Sequence, residues 1–438
     1  MKRILVLSLS ACLISLSGLS QVFDKAKLDA YFDTLSKHDR FMGSVAISRN
    51  KELIYAKSVG FTDIEQGLKT NKNSKYRIAS ISKTFTTVLV LKAIEEGKLD
   101  INQTIEQFFP TIDNAQKITI EHLLYHRSGI PDYIDNNWLN WNTQPKTEQE
   151  MIEMISKRGS GFEPDSQTDY TNSNFVLLGY ILEKIYKKPY SDVLEEKILN
   201  PAGLKNTYFG KPINTKDNEC NPYHYEDGWE KGTATDMSIL AGAAGIVSTP
   251  VDLTLFCEAL FNGKLVSINS LKQMETIKDE EEGLGMGLNQ VSFYDKTGFS
   301  HIGGIDGFRS MFAYFPDSEI SFAYAANGIN HYAGNIDHTV MSAIFNQPFE
   351  IPEFKTYHVT DEDLDKYLGA YVNKETSQKF IFTKAKGKLI LQEIYPLEAI
   401  EKDKFERAKA GFVIAFNPAD KTMVLKFGEE THHFEKED

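Results

Sequence analysis

The chain has 438 residues, 41% of them hydrophobic and 25% charged, an ordinary globular composition with material for a large core and two domains. Its 48 basic and 61 acidic residues give a formal net charge of −13, which argues against nucleic acid as a partner. Beyond the first twenty residues no stretch has the roughly eighteen uninterrupted apolar residues of a membrane helix.

Those first twenty residues read as an export signal, residues 1–20. Lys2 and Arg3 precede an apolar run from Ile4 to Leu19, and the small residues Gly18 and Ser20 stand before a cut ahead of Gln21. Cleavage removes two basic residues and no acids, leaving 46 basic against 61 acidic, a net of −15, on a periplasmic or extracellular protein. Leu9-Ser10-Ala11-Cys12 also spells a lipoprotein box, so a lipid anchor on Cys12 is the alternative to plain cleavage. Cys220 and Cys257 remain. One disulfide is compatible with export, but Cys257 lies in the apolar helical run Leu253–Cys257, where a free buried thiol is the default.

Leu28, Tyr31, Phe32 and Leu35 recur at helical spacing. Gly43–Ser48 and Leu53–Val59 then read as two strands joined by Arg49-Asn50-Lys51 in a hairpin. Next comes Arg77-Ile78-Ala79-Ser80-Ile81-Ser82-Lys83-Thr84-Phe85, followed by Val88, Leu89, Leu91 and Ile94 down to Gly97, a helix closed by a glycine. Ser80 falls in its first turn, and Lys83, three residues on, shares its face. A serine hydroxyl becomes an effective nucleophile when a nearby base takes its proton, and a lysine kept partly neutral by burial or a neighbour can be that base.

In Ile118–Pro131, His122 and His126 stand four apart, but Leu123 occupies the place where a zinc hydrolase carries its glutamate, so both histidines read as structural. No metal or organic cofactor is implied. Asp169-Tyr170-Thr171-Asn172-Ser173-Asn174 opens another apolar helix and offers a phenol and an amide. Tyr170 can accept a proton if a lysine charge stabilises its phenolate, while Asn172 alone reads equally well as a helix cap. Further on, Lys296-Thr297-Gly298 and His301-Ile302-Gly303 lie five residues apart. Tyr294–Gly298 reads as a hairpin turn, with the glycine supplying positive φ.

Past residue 345 the polar, proline-bearing stretch to Asp361 reads as a linker. Phe380–Phe382, Leu389–Leu391, Phe412–Phe416 and Met423–Phe427 follow as short strands with turns at Lys386-Gly387 and Pro418–Asp420, a small all-β module of barrel or curled-sheet type. His432 and His433 are adjacent on a strand, so they face opposite ways and do not make a metal pair.

Ser80-Ile81-Ser82-Lys83, Tyr170-Thr171-Asn172 and His301-Ile302-Gly303 together resemble the three active-site elements of the penicillin-recognising serine hydrolases, which include class C β-lactamases, D-alanyl-D-alanine carboxypeptidases and related esterases. Leu123–Pro131, Ala244–Leu253 and Gly303–Ser310 extend the resemblance, which spans about residues 25 to 345. It implies an α+β fold, an antiparallel sheet flanked by helices with a mainly helical subdomain, over residues 21–350, and a C-terminal β-domain over 351–438.

The resemblance also assigns roles. Ser80 is the nucleophile, Lys83 and Tyr170 carry the proton, and Asn172 orients the acyl group of a small-molecule or peptide substrate. The Ser80 and Gly304 N–H groups form the oxyanion hole. His301 and Gly303 provide the third element, because the Gly304-x-x-Gly307-Phe308 that accompanies it follows the histidine triad and not Lys296. The third element is expected on an edge strand facing the serine helix. Many relatives carry Lys-Thr-Gly as this third element, and histidine in place of that lysine shifts the expectation from β-lactamase towards a D-alanyl peptidase or esterase. The competing reading is a catalytically silent relative that binds cell-wall peptides or a partner, and the presence of Ser80, Lys83, Tyr170 and Asn172 together favours the enzyme.

Overall fold

The computed structural model describes residues 23–279 and 283–437; the expected export signal, its cut before Gln21 and Cys12 lie outside these residues. Helix α1 (Lys25–Lys37) buries Leu28, Tyr31, Phe32 and Leu35, and Asp24 caps it by accepting the Lys27 N–H. Strands β1 (Phe41–Arg49) and β2 (Glu52–Val59) form the expected hairpin. Asn50 and Lys51 turn it with φ of 52° and 68°, the positive values whose twist matches that of the flanking strands.

Helix α2 (Ser82–Glu95) starts one step later than the spacing suggests. Ser80 sits in a 3-10 turn, Ala79–Ile81, just ahead of it. The chain arrives here as a strand, with Tyr76 and Arg77 paired to Ser248 and Val247, and must turn sharply. Ala79 absorbs the bend at φ 47°. The helix ends at Gly97, φ 66°, as expected. Helices α3 (Asn172–Tyr186) and α4 (Pro250–Phe261) pack with α2 in the larger core, where the Phe85 and Phe256 rings stack at 3.8 Å.

Strands β3 (Asn289–Phe293), β4 (Lys296–Ile305), β5 (Phe308–Phe315) and β6 (Ile320–Ile329) complete an antiparallel sheet in the order β3-β4-β5-β6-β1-β2. Alternation along the strands gives two apolar faces. Met311, Ala313, Phe315, Phe322 and Tyr324 meet α1 and helix α5 (Ala333–Ile344), while Phe312, Tyr314 and Ala323 meet the larger core. Two sequence expectations are corrected here. The turn before β4 is Tyr294-Asp295, with φ 51° at Tyr294. Gly298 lies inside the strand, where a Cβ would meet the Tyr314 carbonyl oxygen at 2.7 Å. The edge strand is β3, not β4. But β3 pairs only with residues 296–300 of β4, which leaves 301–305 free to lie against the Ser80 turn.

The C-terminal strands close into an eight-stranded barrel: β7 (Gly369–Val372), β8 (Lys379–Ala385), β9 (Lys388–Leu391), β10 (Tyr395–Glu401), β11 (Lys404–Arg407), β12 (Phe412–Asn417), β13 (Thr422–Phe427) and β14 (Glu430–Lys436). Its core, with Tyr371, Phe382, Leu391, Phe405, Ile414, Phe416 and Phe434, is separate from the other two. Arg40, only 6% exposed, joins the barrel to the rest through Glu398 at 2.7 Å and Glu406 at 3.1 Å. His432 and His433 pair with Leu425 and Val424 and face opposite ways. Cys220 and Cys257 are buried free thiols. Among the described residues no helix is long and apolar enough to cross a membrane.

Candidate active site

Lys83 is fully buried, and its three N–H groups are all engaged. Nζ lies 3.1 Å from Ser80 Oγ, 2.7 Å from Asn172 Oδ1 and 3.1 Å from the Ala243 carbonyl oxygen. An ammonium has three donors and no acceptor, so in this arrangement the Ser80 oxygen accepts from Lys83 and its own proton is free for another base. The rings of Tyr170 and Phe175 complete the surroundings, 4.9 Å and 5.8 Å from Nζ.

Tyr170 is 37% exposed at the mouth of the site, and its ring stacks on His126 at 4.4 Å. His126 is buried, its Nδ1 accepts the Thr171 N–H at 3.1 Å, and its pKa is held well below 6.5 first by burial and then by the Lys83 charge. His126 therefore serves as a platform for the tyrosine. His122 forms a capping box with Thr119 at the short helix Ile120–Leu124. Both histidines thus make local structural hydrogen bonds.

The cap of α3 is Thr171, whose Oγ1 accepts the Ser173 N–H, and not Asn172. The Asn172 side chain instead bridges Lys83 and Asp132, donating from Nδ2 to Asp132 Oδ2 at 2.8 Å. Both ends of this amide are thus engaged within the protein.

Across the cleft, β4 brings His301 to the site, 4% exposed, with Nδ1 2.7 Å from the Ile302 carbonyl oxygen. Burial, and then the Lys83 charge, lower its pKa from 6.5 to about 4, so near neutral pH the ring is uncharged. A neutral ring facing a carbonyl through Nδ1 carries its proton there and leaves Nε2 as an acceptor. Gly303 allows the close approach of this strand to the serine turn. A Cβ there would meet the Ile78 carbonyl oxygen at 2.1 Å, the same oxygen that accepts the Ser310 hydroxyl at 2.8 Å. Gly304 follows, with Arg309 Nη1 2.5 Å from where its Cβ would stand. Lys296 starts the strand, five residues or about 17 Å from His301, and pairs with Asp295 at the surface. The structure therefore brings together Ser80, Lys83, Tyr170, Asn172, His301, Gly303 and Gly304 and leaves Lys296 out.

The Ala243 carbonyl, Asp132 and the group that ties the surrounding loops have no motif that marks them in the sequence. In that group Asp306 accepts from the Thr235 N–H at 2.8 Å and its hydroxyl at 2.6 Å, Arg77 donates to the Thr235 carbonyl at 2.6 Å, and Asn142 donates to the Thr235 hydroxyl at 3.1 Å. The signals short of a motif are an aspartate after Gly129-Ile130-Pro131 and another between Gly304 and Gly307.

A serine on a tight turn, bonded to a buried lysine one helical turn on and faced by a glycine-bearing strand, defines a serine hydrolase. Residues 28–337 match the Beta-lactamase family, and the chain belongs to it. It is 26% identical over 410 residues to penicillin-binding protein 4* of Bacillus subtilis (strain 168), covering 84% of this chain and 89% of that protein. It is 28% identical over 250 residues to teichoic acid D-alanine hydrolase of Staphylococcus aureus, covering 55% and 58% respectively. An octameric penicillin-binding protein homologue from Pyrococcus abyssi shares the fold with a TM-score of 0.67 at 23% identity, over 94% of this chain and 100% of that one. A D-amino acid amidase from Ochrobactrum anthropi SV3 does so with a TM-score of 0.64 at 24% identity, over 73% and 99%.

Proposed function

We propose that this chain is an exported hydrolase that forms a covalent acyl-enzyme on Ser80 and cleaves amide or ester bonds of D-alanyl-type substrates, with β-lactams as acylating agents. The observation that carries the reading is the 3.1 Å contact between Ser80 Oγ and the fully buried Lys83. Ser80 attacks the carbonyl and its proton passes to Tyr170, whose phenolate the nearby Lys83 charge stabilises; the proton then goes to the departing amine or alcohol, and water releases the acyl group. The Ser80 and Gly304 N–H groups hold the oxyanion, a contribution of about 3 kcal/mol per donor.

His301 can either hold a substrate carboxylate or modulate the proton relay. A neutral ring with an acceptor nitrogen suits the second. The D-alanyl preference draws support from the relative named as a teichoic acid D-alanine hydrolase and from the penicillin-binding relative. Export rests on Lys2, Arg3 and the apolar run to Leu19, and the catalytic and barrel units are taken as residues 21–350 and 351–438.

Ser80→Ala should abolish labelling by a fluorescent β-lactam or fluorophosphonate together with turnover of a D-alanyl-D-alanine peptide and a short-chain ester. Labelling that survives the substitution would sink the assignment. N-terminal sequencing of the secreted protein should begin at Gln21.

A further inference from the structure

We infer that Asp132 is a positioning residue for the reaction, acting through the Asn172 amide to hold Lys83 Nζ beside Ser80 Oγ. The inference rests on the hydrolase reading above and concerns a residue that touches neither the nucleophile nor the lysine.

An ionised carboxylate only accepts hydrogen bonds, so whatever faces it must donate. Asp132 Oδ2 is 2.8 Å from the Asn172 side chain, which must therefore present Nδ2 to it. An amide with Nδ2 turned one way has Oδ1 turned the other, and Oδ1 is the atom 2.7 Å from Lys83 Nζ. Asp132 thereby selects one of two amide orientations. In the opposite orientation an NH2 group would face the ammonium, donor against donor, and the shortest of the three Lys83 contacts would be lost.

The backbone holds Asp132 to this task. The Ser173 hydroxyl donates to the Pro131 carbonyl at 2.7 Å and accepts the Tyr133 N–H at 3.0 Å, so it grips the chain on both sides of Asp132. One residue further along α3, Asn174 accepts the Ser128 hydroxyl at 2.7 Å. Three successive residues of α3 thus stitch segment 128–133 to its first turn, and the carboxylate sits between the two residues that Ser173 holds. Its second oxygen accepts the Ile134 N–H at 3.1 Å, which fixes the rotamer. Gly129 makes the path feasible, with φ 76° and a position where a Cβ would meet the Phe162 carbonyl oxygen at 2.1 Å. Asn172 is therefore clamped between a rigid acceptor and the lysine, and the geometry of the nucleophile depends on a segment about forty residues away in sequence.

The test is a double-mutant cycle read by single-turnover acylation with a fluorescent fluorophosphonate, on the full-length protein. Asp132→Asn, whose amide can donate as well as accept, should slow acylation about 10- to 100-fold. In an Asn172→Ala background the same change should cost less than about twofold, because its route to Lys83 is already gone. Equal losses in both backgrounds would overturn the inference and make Asp132 a fold residue. Should Asp132→Asn melt early, Asp132→Ser replaces it, since serine keeps an acceptor for the Ile134 N–H without the reach to Asn172.

A second readout does not depend on turnover. The two side-chain amide protons of Asn172, assigned by their loss in Asn172→Ala, should exchange with solvent at least about tenfold faster in Asp132→Asn. Unchanged exchange overturns the inference. A wild-type protein that no probe labels would sink the hydrolase reading alone, and the exchange measurement would still decide this one.

Discussion

Lys83 Nζ lies closer to Asn172 Oδ1, at 2.7 Å, than to Ser80 Oγ, at 3.1 Å. The lysine is held from α3 and from Ala243, and the nucleophile receives the longer contact. Lys83→Met removes all three donors. It leaves two buried oxygens without a partner, at about 1–3 kcal/mol each, but also removes a buried ammonium whose desolvation costs several kcal/mol. The two terms oppose each other and are of similar size, so stability is expected to stay within about 2 kcal/mol of the wild type in a urea melt, while acylation by a fluorescent β-lactam falls at least about a thousandfold. A variant that labels like the wild type would remove Lys83 from the relay.

Tyr170→Phe separates the phenol from the ring. The phenylalanine retains the stack on His126 at 4.4 Å and the contact with Lys83. Stability should stay within about 0.5 kcal/mol. Acylation should drop about 100- to 10,000-fold, the range for losing a positioned acid–base group. Stopped-flow acylation and a urea melt of the same sample check both halves.

The two candidate triads on β4 make opposite demands. Lys296 is a surface residue paired with Asp295, so Lys296→Ala should leave kcat/KM within about twofold. His301→Lys, which restores the triad's usual cation, should instead destabilise the protein, because it buries a second positive charge beside Lys83 at a position 4% exposed. Thermal melts and ester turnover of both variants test the assignment. It fails if Lys296→Ala is the damaging change.

His301 also links stability to pH. Its folded pKa is about 4 against 6.5 in the unfolded chain, so between these values the unfolded state binds more protons. Its contribution is fully present above about pH 6.5 and is lost as pH falls towards 4, on the order of 3 kcal/mol if the shift is complete. His331, lowered to about 4 by burial and by Arg40, acts in the same direction. Asp337, raised to about 7 by burial, acts oppositely and loses stability as pH rises from about 4 to 7. The His301 part is isolated by comparison with His301→Asn: denaturant melts at pH 7 and pH 4.5 should show the wild type losing ground to the variant on acidification. A constant gap would contradict the buried neutral imidazole.

Much of the fold could be read along the chain because it was written in local patterns. The α1 face, the β1–β2 hairpin with Asn50-Lys51, and the apolar stripes of α2 and α3 each repeat at the period of their element. Four barrel strands were legible for the same reason. Strand β10 was not: all of it except Leu397 is partly or wholly exposed, so no alternation marks it, and only pairing with its neighbours makes it a strand. Gly298 misled because a glycine that follows Asp295-Lys296-Thr297 suits a turn as well as a strand in close contact with Tyr314.

Local residue order supplied the chemistry on offer: a serine and a lysine one helical turn apart, a phenol and an amide opening a helix, and a strand rich in glycine. The Ser80–Lys83 spacing spans only the 3-10 turn and the first residues of α2, so it is a local property. The tertiary structure alone decided what those groups face. Sheet register left residues 301–305 free against the serine turn and carried Lys296 to the far end of the strand. The clamp on segment 128–133 turned Asn172 from a plausible helix cap into the link between Asp132 and Lys83. Hydrogen-bond partners from elements tens to hundreds of residues apart are set by packing, and no periodicity within either segment encodes them.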